Sequence, residues 1–132
     1  MTIVIKLHAT TNETKLEKAV RTIINEGATD YEEGVAGYME DLTQGGCQSG
    51  MVSELIYYAD TVAFYKKHKD DINTLLYNLL SDTGYKNPED LFGDKWEKDD
   101  PLALEDMNRN LLAWFAFEET ARILADRAGV EI

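Results

Sequence analysis

Residues 111–128 constrain the fold more than any other part of the chain. Leu111, Leu112, Trp114, Phe115, Phe117, Ala121, Ile123 and Leu124 fall so closely together that a helix here is apolar around much of its circumference. Such a helix is stable only where neighbours cover it on several sides. The rest of the chain is therefore expected to wrap around its own C-terminal helix, which Gly129 ends.

The remaining pattern supplies the neighbours. Leu16, Ala19, Val20, Ile23 and Ile24 recur at helical spacing and predict a first helix over 13–26, stopped by Gly27. Thr29, with Glu32 three residues on, reads as a capping box that opens a second helix running to Gly45-Gly46. Gly34 and Gly37 inside that helix each cost about 1 kcal/mol relative to Ala, so they imply close backbone approach or an irregular helix. A third segment covers 51–58. Asp60 is expected to cap a fourth from Thr61, which bends or breaks near Lys69-Asp70-Asp71. Ile72, Leu75, Leu76, Leu79 and Leu80 then form an apolar stripe ending at Gly84. Asn87-Pro88 and Asp100-Pro101 place Pro at the first position of two further helical segments. Phe92 and Trp96 are expected to pin the loop between them to the core. Asn110 is expected to cap or interrupt the chain before the last helix.

Residues 2–8 are rich in β-branched side chains and are a candidate strand. A strand's only weak partner would be 130–132; the alternative is an extension packed on the core. The expected architecture is mainly α: a compact single domain over residues 1–132, a bundle of five to seven helices with at most a short N-terminal strand. Trp114, Phe115, Phe117, Leu75, Leu76, Leu79, Leu55 and Ile56 are expected to be buried.

The 132 residues include 13 Lys or Arg and 25 Asp or Glu, a net charge of −12. That excess argues against direct nucleic-acid binding and against adhesion to an anionic membrane, and it suits a basic partner. An apolar fraction of 44% is sufficient for a real core, which excludes wholesale disorder. One Cys excludes an internal disulfide and fits a reducing compartment. No signal-peptide pattern and no membrane-length apolar run occur, so a cytoplasmic protein is expected. The acidity is regional. Residues 22–65 hold eight acids and no Lys or Arg, and residues 82–106 hold nine acids against three Lys.

Signals for chemistry are sparse. Cys47 lies in the Gly-flanked turn Gly46-Cys47-Gln48-Ser49-Gly50 before a helix, where a thiol pKa can fall. Neither His8 nor His68 is placed near it as a base, and a small buried thiol is the plainer reading. His68 reads as an exposed histidine at a helix end. Residues 94–101 lack the alternating oxygen ligands and central Gly of a calcium loop. Glu118 is expected to pair with Arg122, and Arg122 with Asp126, one helical turn apart. Tyr57 and Tyr58 could stack on a ligand but suit a core equally. No phosphate loop or nucleophile elbow is present. No catalytic residue, cofactor or metal is assigned.

Two segments carry a resemblance. Gly46-Cys47-Gln48-Ser49-Gly50-Met51-Val52, continuing through Leu55-Ile56-Tyr57-Tyr58-Ala59-Asp60-Thr61 to Phe64-Tyr65, is the first; Asn110-Leu111-Leu112-Ala113-Trp114-Phe115-Ala116-Phe117-Glu118-Glu119-Thr120-Ala121 is the second. Together they resemble a family of small uncharacterised proteins, a domain of unknown function, from bacteria, phages and plasmids. The resemblance implies a mobile-element setting and carries over no established catalytic residues. It covers 46–72 and 110–121, which leaves the acidic stretch 82–106 as a feature particular to this chain.

The leading expectation is a small acidic binding protein without enzymatic activity. In a mobile-element setting it would inhibit a host nucleic-acid-binding defence enzyme, in the manner of an anti-CRISPR or anti-restriction protein. Its contacts would be Asp30, Glu32, Glu33, Glu40 and Asp41 on the second helix and Asp94, Glu97, Asp99 and Asp100 on the loop. The plainer counterpart is a solvated surface that aids solubility. Two further classes stay open. One is a ligand-binding or Cys-dependent enzyme domain built on Cys47, Gln48, Ser49, Tyr57, Tyr58 and Asp60. The other is a self-associating helical protein that packs its Gly34/Gly37 face on a second copy.

Overall fold

The computed structural model describes residues 4–44, 58–93, 96 and 104–130, with the backbone course alone for 41–44, 58–60 and 104–107. Among the described residues there are six helices and no strand: α1 (Lys15–Ala28), α2 (Val35–Gln44), α3 (Tyr58–Lys67), α4 (Lys69–Thr83), α5 (Pro88–Phe92) and α6 (Leu104–Arg127). The fold is mainly α, as the periodicity requires.

The long helix is central. α6 packs against α1, α2, α3 and α4. Its buried positions combine large side chains (Leu112, Phe117, Leu124) with Ala113, Ala116, Ala121 and Ala125. The alanines let neighbouring backbones come close, while a fully buried Phe such as Phe117 contributes about 1.5–3 kcal/mol. Asn110 neither caps nor interrupts this helix. It lies inside it, where its side chain accepts a hydrogen bond from the buried Thr61 hydroxyl of α3. Asp60 likewise lies inside α3 rather than capping it.

α1 begins and ends elsewhere than its sequence pattern suggests. Thr14 is the N-cap: its Oγ1 accepts the Glu17 N–H at 3.0 Å, and the Glu17 carboxylate accepts the Thr14 N–H at 3.0 Å. Asp71, from the first turn of α4, accepts the Leu16 N–H at 3.2 Å. Leu16, Val20, Ile24 and Ala28 form the buried stripe. Gly27 is internal and not a stop, because the Tyr38 ring lies against it: an added Cβ would stand 2.0 Å from Tyr38 Cε1. Thr29 closes α1 instead of opening α2, its hydroxyl donating to the Glu26 carbonyl at 2.8 Å.

Residues 4–10 are an extension, with no strand among the described residues. One side chain takes the place of a strand partner: Asn25 Oδ1 accepts the Leu7 N–H at 2.8 Å, and Asn25 Nδ2 donates to the Leu7 carbonyl at 3.0 Å. Leu7 is buried beneath. The Val35 N–H donates to the Val4 carbonyl at 2.9 Å, which ties the extension to the start of α2.

The chain breaks between α3 and α4 at His68, and α4 ends at Gly84 with φ +78°. His68 is only 5% exposed, which overturns its reading as a surface histidine. Its ring rests on Phe64 with centroids 4.8 Å apart. Phe92 stacks on Trp96 at 5.7 Å and meets Phe115 edge-on at 5.6 Å, pinning the loop after α5 as expected. Phe117 and Leu76 are buried, whereas Leu75, Leu79, Trp114 and Phe115 are half-buried at the rim of the core. Leu55 and Ile56 lie outside the described residues.

Candidate functional site: an acidic turn between α1 and α2

Residues 29–34 make a tight connection in which the chain reverses. The Asp30 N–H donates to Gly27 O at 3.3 Å, Tyr31 N–H to Ala28 O at 3.1 Å, and Gly34 N–H to Tyr31 O at 3.0 Å. Gly34 has φ +63°, and an added Cβ would stand 2.4 Å from the Val4 carbonyl. Only glycine suits a left-handed backbone this closely approached. Tyr31 turns inward and meets Tyr38 edge-on at 5.8 Å. With Tyr31 facing the core, Asp30, Glu32 and Glu33 are left facing water.

Four exposed carboxylates thus gather around one turn: Glu26 on α1, then Asp30, Glu32 and Glu33. None of the four joins an ion pair among the described residues. The last turn of α1 carries no basic residue, so Glu26 and Asp30 lie at a helix end that is itself partly negative. Glu40 is exposed on α2, and Asp41 follows it there. The turn has no nucleophile and no acid–base pair. What it offers is negative potential fixed by backbone geometry.

Cys47, Gln48, Ser49, Tyr57, Asp94, Glu97, Asp99 and Asp100 lie outside the described residues, while Tyr58 and Asp60 contribute backbone to α3. The second acidic cluster and the Gly-flanked cysteine therefore stay at the level of sequence. The Gly34/Gly37 face is not free for a second copy. Gly34 is covered by the backbone of Val4 and Ile5, and Gly37 by Tyr31 and Glu33.

Some carboxylates elsewhere serve the fold. Glu13 and Arg21 form a two-pronged pair at 2.7 and 3.0 Å. The Arg21 hydrogen bond holds the Glu13 carboxyl below its ordinary range, and the same bond raises the Arg21 pKa. Glu118 pairs with Arg122 at 2.7 Å as expected, but the second partner of Arg122 is Glu119 at 3.9 Å rather than Asp126. Among the described residues no group of three or more His, Cys, Asp or Glu is placed to hold a metal ion, and no helix is long and apolar enough to cross a membrane.

A single central helix clothed by shorter ones, with an acidic turn on its surface, defines a small helical domain. The chain belongs to the family described as a domain of unknown function, DUF7222, which it matches over residues 12–130. The match reaches well beyond the two motifs. The acidic stretch 82–106 falls inside the matched span, whereas the N-terminal extension lies largely outside. No curated protein and no solved structure matches the chain.

Proposed function

We propose that this is a non-enzymatic binding protein whose acidic turn occupies a basic groove on a host nucleic-acid-binding enzyme, of the CRISPR-effector or restriction type. The observation that carries this reading is the turn itself: Glu26, Asp30, Glu32 and Glu33 are exposed and lack an ion pair among the described residues, on a backbone held by Gly34 and Tyr31. A surface that served solubility alone would not need like charges beside a helix C-terminus with no counter-cation. Glu26 and Asp30 stand at the negative end of α1, whereas Glu32 and Glu33 precede the positive end of α2, so a basic partner would relieve the first pair. Grooves built for phosphates carry strong positive potential, so the encounter is fast and salt-sensitive.

The test uses the variant Asp30→Lys, Glu32→Lys, Glu33→Lys. DNA binding by a Cas9-type effector and by a restriction endonuclease is measured with increasing amounts of either protein, at low and at physiological salt. The wild type should compete with DNA for one of them, with an affinity that falls about tenfold or more as salt rises, and the variant should not compete. Absence of competition by the wild type, or competition unaffected by both salt and charge reversal, would overturn the reading.

A further inference from the structure

We propose that the cavity between the N-terminal extension and the C-terminal end of α6 binds an aliphatic carboxylate. The cavity has a volume of about 550 Å³, within the range of small-ligand sites. Ile5 and Leu7 line it from the extension and Leu124 from α6, and Lys6, His8 and Arg127 line it as well. Among the described residues no Asp or Glu contributes to its wall, although 25 of the 132 residues are acidic. The ionisable side chains among its described lining are Lys6, His8 and Arg127, so in a chain of net charge −12 this cavity favours an anion over a cation. Its aliphatic lining asks for an apolar tail behind the charge.

The site is built before any ligand arrives. Asn25 holds both backbone groups of Leu7, and Val35 holds the Val4 carbonyl, so the extension cannot lift freely. Arg127 pairs through Nη1 with Glu17, and among the described residues its Nε and Nη2 make no further hydrogen bond and can meet a carboxylate. Ile5 is 58% exposed, an aliphatic surface that a ligand tail would cover. This site is separate from the acidic turn, and neither proposal depends on the other.

Calorimetric titration with hexanoate, octanoate and decanoate, below micelle-forming concentrations, tests the assignment. Affinity should rise about fourfold per methylene. Decyltrimethylammonium, with the same tail and opposite charge, should bind about tenfold more weakly or worse. Ile5→Asp and Lys6→Glu change exposed positions, so their helix content should match the wild type, and each should weaken decanoate about tenfold. Amide resonances of Leu7 and Ala128 should move on saturation. Absence of saturable decanoate binding, equal affinity for the cationic analogue, or binding unaltered in both variants would overturn the proposal.

Discussion

The two ends of α1 are both rich in carboxylates and use them in opposite ways. At the N-terminal end every acid named has work inside the fold. Glu13 holds Arg21, Glu17 holds the Thr14 N–H and Arg127, and Asp71 reaches across from α4 to the Leu16 N–H. At the C-terminal end Glu26, Asp30, Glu32 and Glu33 hold nothing among the described residues, and glycine and tyrosine keep the turn in shape. The same residue types are therefore structural at one end and surplus to folding at the other. A surplus of like charge is what a partner surface requires, so the contrast carries the functional reading, and it can be broken experimentally.

The largest effect should come from the glycine contact at the acidic end. Gly27→Ala drives a methyl into the Tyr38 ring, which is buried and flanked by Tyr31 and cannot swing away freely. Overpacking of this kind costs about 1–3 kcal/mol, against at most about 1 kcal/mol that Ala gains over Gly in helix propensity, so the variant should lose up to about 2 kcal/mol. A urea midpoint lowered accordingly, with an unchanged slope, would place the weight of this end on packing. A stabilised variant would mean that Tyr38 yields and that the turn is softer than its contacts suggest.

Gly27 also marks where sequence reading stopped working. A glycine after an apolar stripe is an ordinary helix stop, and only a ring from another helix, eleven residues away, makes it internal. Thr14-x-x-Glu17 and Thr29-x-x-Glu32 are equivalent capping boxes on paper. The first is used, and the second falls where α1 is still ending, because Ala28 belongs to its buried stripe. His68 and Asn110 failed as surface or boundary residues for the same reason: Phe64 and Thr61, supplied by α3, give each a place inside. Asp30, Glu32 and Glu33, expected on the second helix, lie in the turn before it, whereas what depended on periodicity alone was legible, including the central last helix and the Gly84 stop. The basic cavity was not, since Lys6 and Arg127 meet only after the chain has closed on itself.

At the N-terminal end, Asp71→Ala removes a cap supplied from another helix. The Leu16 N–H then loses its acceptor, and α1 loses a carboxylate at its positive end. Loss of an N-cap acceptor costs about 1 kcal/mol. Asp71→Asn, which keeps an oxygen in place, should recover part of it. If alanine and asparagine are equally stable by denaturant titration, the bond between α4 and α1 contributes nothing.

A group that stays uncharged at this same end sets a pH dependence. His68 is buried with Nδ1 lacking a hydrogen-bond partner, and it faces Lys67 on α3, Lys15 on α1 and Asp71 on α4. Desolvation lowers its pKa from the ordinary 6.5, Lys67 and Lys15 lower it further, and Asp71 opposes them. The unfolded chain therefore takes up a proton at a pH where the folded chain does not. Stability should be complete above about 6.5, fall as pH drops below that value, and level off once the folded state also protonates. One proton limits the slope to about 1.4 kcal/mol per pH unit. His68→Gln should flatten this segment of the curve, and denaturation midpoints at pH 7.5 and 5.5 would show it. Glu13 acts separately and lower: its depressed pKa gives stability that is present above 4.5 and lost as pH falls through the folded value.

The smallest effect on stability should come from the largest change in charge. Reversing Asp30, Glu32 and Glu33 to Lys moves the net charge by six units, from −12 to −6. No ion pair among the described residues is broken, because none of the three makes one. Lysine at residue 30 also places a cation near the negative end of α1, which favours the folded state by a few tenths of a kcal/mol. Lysines at 32 and 33 stand ahead of the positive end of α2 and oppose it by a similar amount. The sum should lie within about 0.5 kcal/mol of zero, the range of ordinary surface substitutions. A loss comparable to that of Asp71→Ala would mean that the acids of the turn are structural after all and would remove the contrast between the ends of α1. Unchanged stability together with lost competition against DNA would instead assign these three carboxylates to recognition.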